Sequence, residues 1–195
     1  TNNTINASLT PVFNAENATS ITLYNNTFYD SAYINGSDSA YLSGNNMTEL
    51  AEVMDFNFTN SDSITLLSNN LEFVFISDST TLTIQSNTLL RMQVEKTSSA
   101  QIISNTLNNN ANVSIQLSDV NSSTLRDNTV KNNTGGISLL NSYSNTIYDN
   151  WLQSNGFGMN VSSSQSNTVY NNYFQNTVNV YEDIANTWFM SYSCS

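Results

Sequence analysis

Asparagine is the residue type whose spacing gives this chain its chemistry. In the pattern Asn-x-Ser/Thr the amide accepts an N-linked glycan. The pattern occurs at Asn2, Asn6, Asn17, Asn25, Asn35, Asn46, Asn57, Asn112, Asn121, Asn132 and Asn160. Asn, Ser and Thr fill roughly 45% of the 195 residues, and that composition alone yields about nine such patterns by chance. Each motif therefore says little alone, while the composition behind them is that of a secreted, glycosylated surface protein. Other reactive side chains are scarce. There is no histidine, and the single cysteine, Cys194, can form no intrachain disulfide; it is a bystander or an intermolecular link. The 15 acidic residues are dispersed, with Glu182-Asp183 the one adjacent pair. Hydrolysis of a glycosidic bond needs two convergent carboxylates. Arg126-Asp127 and Glu95-Lys96 read as surface ion pairs of little energetic weight. Glu49 and Glu52 fall in a loop where they are solvated acids or, less simply, calcium ligands. No Cys/His cluster, phosphate-binding glycine loop or Ser/His/Asp set is available. Sequence alone therefore assigns no catalytic, cofactor-binding or metal residue, and the chain reads as no enzyme.

With 4 basic residues against 15 acidic ones, the net charge is −11. Such a chain cannot neutralise a phosphate backbone, which argues against nucleic acid and anionic membranes as partners. No apolar run is long enough to span a bilayer, and no basic, then apolar leader opens the chain, so it reads as a mature product.

What must position these side chains is a repeat. The phrase apolar-x-x-Asn-x-apolar recurs around Asn26, Asn45, Asn69, Asn87, Asn105, Asn128, Asn150 and Asn172, at intervals of 18 to 24 residues. Three residues before each Asn stand Leu23, Leu42, Leu66, Ile84, Ile102, Leu125, Ile147 and Val169. Two residues after it stand Phe28, Met47, Leu71, Leu89, Leu107, Val130, Leu152 and Phe174. A second apolar pair follows at Met54/Phe56, Ile115/Leu117, Ile137/Leu139 and Met159/Val161. Alternation with polar residues marks strands with one buried face, and no helical period is sustained. Repeats of this size build a solenoid. The expected fold is all-β, a right-handed parallel β-helix of about eight coils; a β-sandwich pilin-like domain with an N-terminal donor strand is the alternative. Equivalent residues then stack about 4.8 Å apart. Asn87, Asn105, Asn128, Asn150 and Asn172 form an amide ladder at a sharp corner whose left-handed backbone Asn tolerates.

Residues 144–189, with Ser-Asn-Thr-Ile-Tyr-Asp-Asn-Trp-Leu followed by Ser-Asn-Thr-Val-Tyr-Asn-Asn-Tyr-Phe, resemble the NosD-like and CASH-type parallel β-helix repeats. The resemblance is strongest over the last coils and implies the fold. Members include archaeal surface proteins, sugar-processing enzymes and a periplasmic accessory protein, so it carries no single function.

Residues 1–20 stand outside the repeat and read as an N-terminal cap or as a strand donated to a neighbour, with Ile5, Ala7, Leu9 and Phe13 as its self-association residues. Residues 21–195 form the β-helix domain, and Trp188 and Phe189 cover its last coil. Tyr148 and Tyr170 occupy equivalent places and form either a sugar-binding stack or a packing ladder. The expected role is structural and extracellular: a homopolymerising subunit of a surface filament, surface layer or virion appendage, with copies of itself and glycans as partners. A carbohydrate-binding adhesin or tail-spike module is the alternative, and a polysaccharide-active enzyme comes third.

Overall fold

The computed structural model describes residues 3–5, 13–47 and 56–189. Apolar residues two apart in a strand point to the same side, and a closed coil directs that side inward on every pass. The strands accordingly form three faces around one core. Every strand pairing among the described residues is parallel, as in Asn70–Ser77 on Thr88–Glu95 and Val113–Ser118 on Gly135–Leu140. The chain is a parallel β-helix, and the antiparallel sandwich alternative is excluded.

One face carries the strands that follow the ladder asparagines: Asn26–Phe28, Asn46–Met47, Thr106–Asn108, Thr129–Lys131, Trp151–Gln153 and Tyr173–Gln175. Phe28, Met47, Leu71, Leu89, Leu107, Val130 and Leu152 are buried along it. The face that precedes the ladder has nine strands, from Ile21–Tyr24 to Thr187–Phe189. It buries Leu42, Leu66, Ile84, Ile102, Leu125, Ile147 and Val169. On the remaining face the buried pairs are Phe56/Phe58, Val74/Ile76, Met92/Val94, Ile115/Leu117, Ile137/Leu139 and Met159/Val161.

The second apolar pair of the third coil is thus Phe56/Phe58, in register with Val74/Ile76, and not Met54/Phe56. Period-2 alternation is unchanged by a shift of two residues, so spacing alone could not detect the displacement. Met54 lies outside the described residues.

Residues 1–20 take coil register where they are described. Asn3–Ile5 pairs with Asn26–Phe28, and Phe13–Glu16 pairs with Ala32–Asn35. Asn3 falls opposite Asn26, extending the ladder position one coil towards the N-terminus. Both pairings are within the chain.

Candidate functional site

The sites with the most organised chemistry are the corners. Each ladder side chain donates from Nδ2 to Oδ1 of the next one, from Asn26 to Asn45 and on through Asn69, Asn87, Asn105, Asn128 and Asn150 to Asn172, at 2.9–3.1 Å. The same Oδ1 accepts the backbone N–H of the preceding asparagine, as Asn128 does from Asn105 at 2.9 Å. The second Nδ2 hydrogen reaches a carbonyl of the coil before, Asn128 to Ile102 and Asn150 to Leu125. Buried amides must be paired, and these pair both ways along the rod.

The left-handed backbone of the corner belongs to the residue before each ladder asparagine. Asn25, Gly44, Ser68, Ser86, Ser104, Asp127, Asp149 and Asn171 all have φ between 51° and 65°. The expectation that the ladder asparagine itself adopts this conformation is corrected. Its side chain must point inward to reach its stacked neighbours, and the reversal of the chain is made by the residue in front. At Gly44 a Cβ would meet the Asn25 Oδ1, so a larger residue there must displace that side chain.

Two further ladders run through the later coils. Asn133, Asn155 and Asn176 are linked at 3.0 and 2.8 Å, with Asn110 donating its N–H to Asn133. Asn145, Asn167 and Asn186 are linked at 3.0 and 2.9 Å. Sequence reasoning missed both. The signal was present as a dipeptide, a small polar residue followed by Asn: Asn132-Asn133, Ser154-Asn155, Ser144-Asn145 and Ser166-Asn167, each with the first residue left-handed. At the C-terminal end the third ladder stops on a carboxylate. Glu182 Oε1 accepts the Asn186 N–H and Nδ2 at 2.6 and 2.7 Å, and both its oxygens accept Trp188 Nε1 at 3.1 Å. Asp183, its neighbour, accepts the Ser163 N–H with both oxygens at 2.9 Å. The one adjacent acid pair therefore closes corners and does not converge.

The aromatic rings are packed on one another. Tyr148 and Tyr170 stack at 4.9 Å and 5°. Desolvation in the stack, then Tyr148 and Asp149, raise the Tyr170 phenol above its ordinary pKa of 10.0. Trp151, 46% exposed, has Tyr173 edge-on at 5.3 Å and Lys131 Nζ over its ring at 3.9 Å.

A groove of about 350 Å³ lies where the uncornered strands meet the first three-cornered coil, lined by Glu72, Phe73, Leu90, Arg91, Asn110 and Asn112 among others. Arg91 covers the Phe73 ring at 4.6 Å and donates from one terminal nitrogen to Gln93 and Gln116. Its Nε is buried without a partner, as is the Asn108 Oδ1 nearby. Burial lowers the Arg91 pKa.

Of the glycan-acceptor asparagines, Asn35, Asn112, Asn132 and Asn17 are exposed, and Asn25, Asn46, Asn57, Asn121 and Asn160 are half-buried. None of these described positions faces the core, including Asn57 and Asn160, which lie within strands. Asn2, Asn6, Ala7, Leu9, Glu49, Glu52 and Cys194 lie outside the described residues. Ile5 sits opposite Phe28, and Phe13 packs half-buried against the core. Arg126 contacts Asp127. Lys96 lies 3.9 Å from Asp78 and is not paired with Glu95, because both Lys96 and Asp78 occupy the same left-handed corner in successive coils.

A family model described as periplasmic copper-binding protein (NosD) matches residues 3–193. No curated protein and no solved structure matches the chain significantly.

Proposed function

The chain belongs to the NosD family, and on that premise we propose that it is a structural rod of the cell exterior that assembles with copies of itself. The family's description is periplasmic, which supports a place outside the cytoplasmic membrane; the cell surface is the finer reading. The observation that carries the structural role is the commitment of the polar side chains. Amides that would otherwise be free to meet a substrate hold one coil to the next. Glu182 and Asp183 are committed in the same way, which supports a role without catalysis. End-to-end stacking is the favoured route of assembly, because the seat for a donated N-terminal strand is taken by the chain's own Asn3–Ile5. Outward sequons such as Asn112 and Asn132 are then the glycan carriers. The test is electron microscopy and sedimentation of the purified protein across concentration. Rods that lengthen with concentration support the proposal; a single monomeric species throughout sinks it. Intact mass of native material checks the glycans.

A second reading, glycan binding, has the Arg91 groove in its favour. Exposed Leu90 beside the polar Arg91, Asn110 and Asn112 suits a ligand rich in hydroxyl groups. Titration with envelope polysaccharide, lost on Arg91→Ala, decides it.

A further inference from the structure

The family description names copper, and the donors of this chain do not fit that metal. Copper sites in proteins are built from imidazole, thiolate and thioether. The chain has no histidine and a single cysteine. Its thioethers are Met47, Met54, Met92, Met159 and Met190. Met47, Met92 and Met159 are buried core residues. Met92 and Met159 share one inward column but are separated by Ile115 and Ile137. Three coil steps place them about 14 Å apart. Two sulfur ligands of one metal, each at about 2.3 Å, are at most about 4.6 Å apart. Met47 stands in another column, above Phe28. No two described methionines can therefore share an ion without unstacking the core.

Oxygen and nitrogen donors do no better. Among the described residues no three Asp, Glu or Cys side chains are grouped as a metal site requires. The ladder amide oxygens already accept two hydrogen bonds each, as Asn128 does from the Asn105 N–H and Nδ2. Recruiting them would strip a buried ladder of its partners.

We infer that the β-helix of this chain holds no copper site, and that the copper chemistry in its family's description is absent from the solenoid of this member. The soft donors left over are Met54, Met190 and Cys194.

The test is retention of Cu(I) against bathocuproine disulfonate, and of Cu(II) through desalting, by the full chain and by Met54→Leu/Met190→Leu/Cys194→Ser. Circular dichroism first establishes that the variant keeps the β-helix. The expected result is that the variant retains less than a tenth of an equivalent of either ion, whether or not the parent chain retains any. One equivalent of Cu(I) held by the folded variant overturns the inference, because no soft donor then remains outside the solenoid core.

Discussion

Between Asn69 and Ser104 each coil takes 18 residues and carries one asparagine ladder, whereas from Asn105 onward each takes 22 or 23 and two further ladders build up, through Asn133 and Asn145. The inward columns run through both regions without a break, as Leu89–Leu107–Val130 and Val94–Leu117–Leu139. The core therefore does not account for the difference. The strands do. Asn70–Ser77 and Thr88–Glu95 each run eight residues straight across what becomes a corner in later coils. Along those straight strands the parallel sheet continues, and where it meets the first turning coil the Leu90 carbonyl already accepts the Asn110 Nδ2. Where the chain turns instead, the carbonyls of Leu107, Val130 and Leu152 swing out of the sheet, and Asn133, Asn155 and Asn176 supply the missing donors. At this corner the buried amide comes with the turn, whereas the corner at Asp78, Lys96, Asp119 and Asn141, present in both regions, is followed by no asparagine.

The contrast can be broken most severely where the regions are alike. Leu82→Asp in the first region and Leu125→Asp in the second each bury an unpaired charge at a fully buried site. Both chains are expected to fail to fold, as read by circular dichroism and soluble yield. Tolerance in either region would mean that the columns are not one core.

The next effect separates corner from strand. Asn133→Ala leaves the Asn110 N–H and the Leu107 carbonyl without their partners. At about 1–3 kcal/mol for each of the two stranded groups, the cost is about 2–6 kcal/mol in urea denaturation. Leu90→Asn introduces an amide in a straight strand, where no swung-out carbonyl waits for it, and should recover no stability. A gain there would show that amides stabilise without corners.

A smaller effect tests the left-handed residue. Gly44→Ala meets both a φ of 65° and the Asn25 Oδ1, and should cost about 1–2 kcal/mol. Ser86→Gly, at φ 56° in the straight region, should stabilise by up to about 1 kcal/mol. The smallest effect concerns the last corner. Glu182→Gln keeps an acceptor for Asn186 and should leave amide exchange of Thr187–Phe189 unchanged, while Glu182→Ala should speed it without altering the earlier coils.

What was legible in the sequence was whatever repeats at a fixed offset. Leu125 before Asn128 and Val130 after it are three and two residues away in every coil, so the ladder and two core columns emerge from spacing. Asn133 and Asn145 escaped because a chain with so many asparagines hides a second and third series inside the first, and because their offsets exist only in the later coils. Arg91 escaped for a different reason. Its partner Gln116 is 25 residues distant and its groove is formed by a change of coil type, which no local pattern records. The first coil escaped because Asn3 lies opposite Asn26 without the flanking phrase.

The direction of the first ladder has a consequence for the rod as a whole. Between ladder side chains every link runs one way, from Nδ2 of one asparagine to Oδ1 of the next towards the C-terminus, so the linked amide dipoles share a direction as peptide dipoles do in a helix. The C-terminal end of such a ladder is its positive end. A carboxylate there is the counterpart of an acid at a helix N-terminus, and Glu182 holds that place on the third ladder, which runs the same way. In the end-to-end assembly proposed above, this ladder polarity favours head-to-tail over tail-to-tail contact.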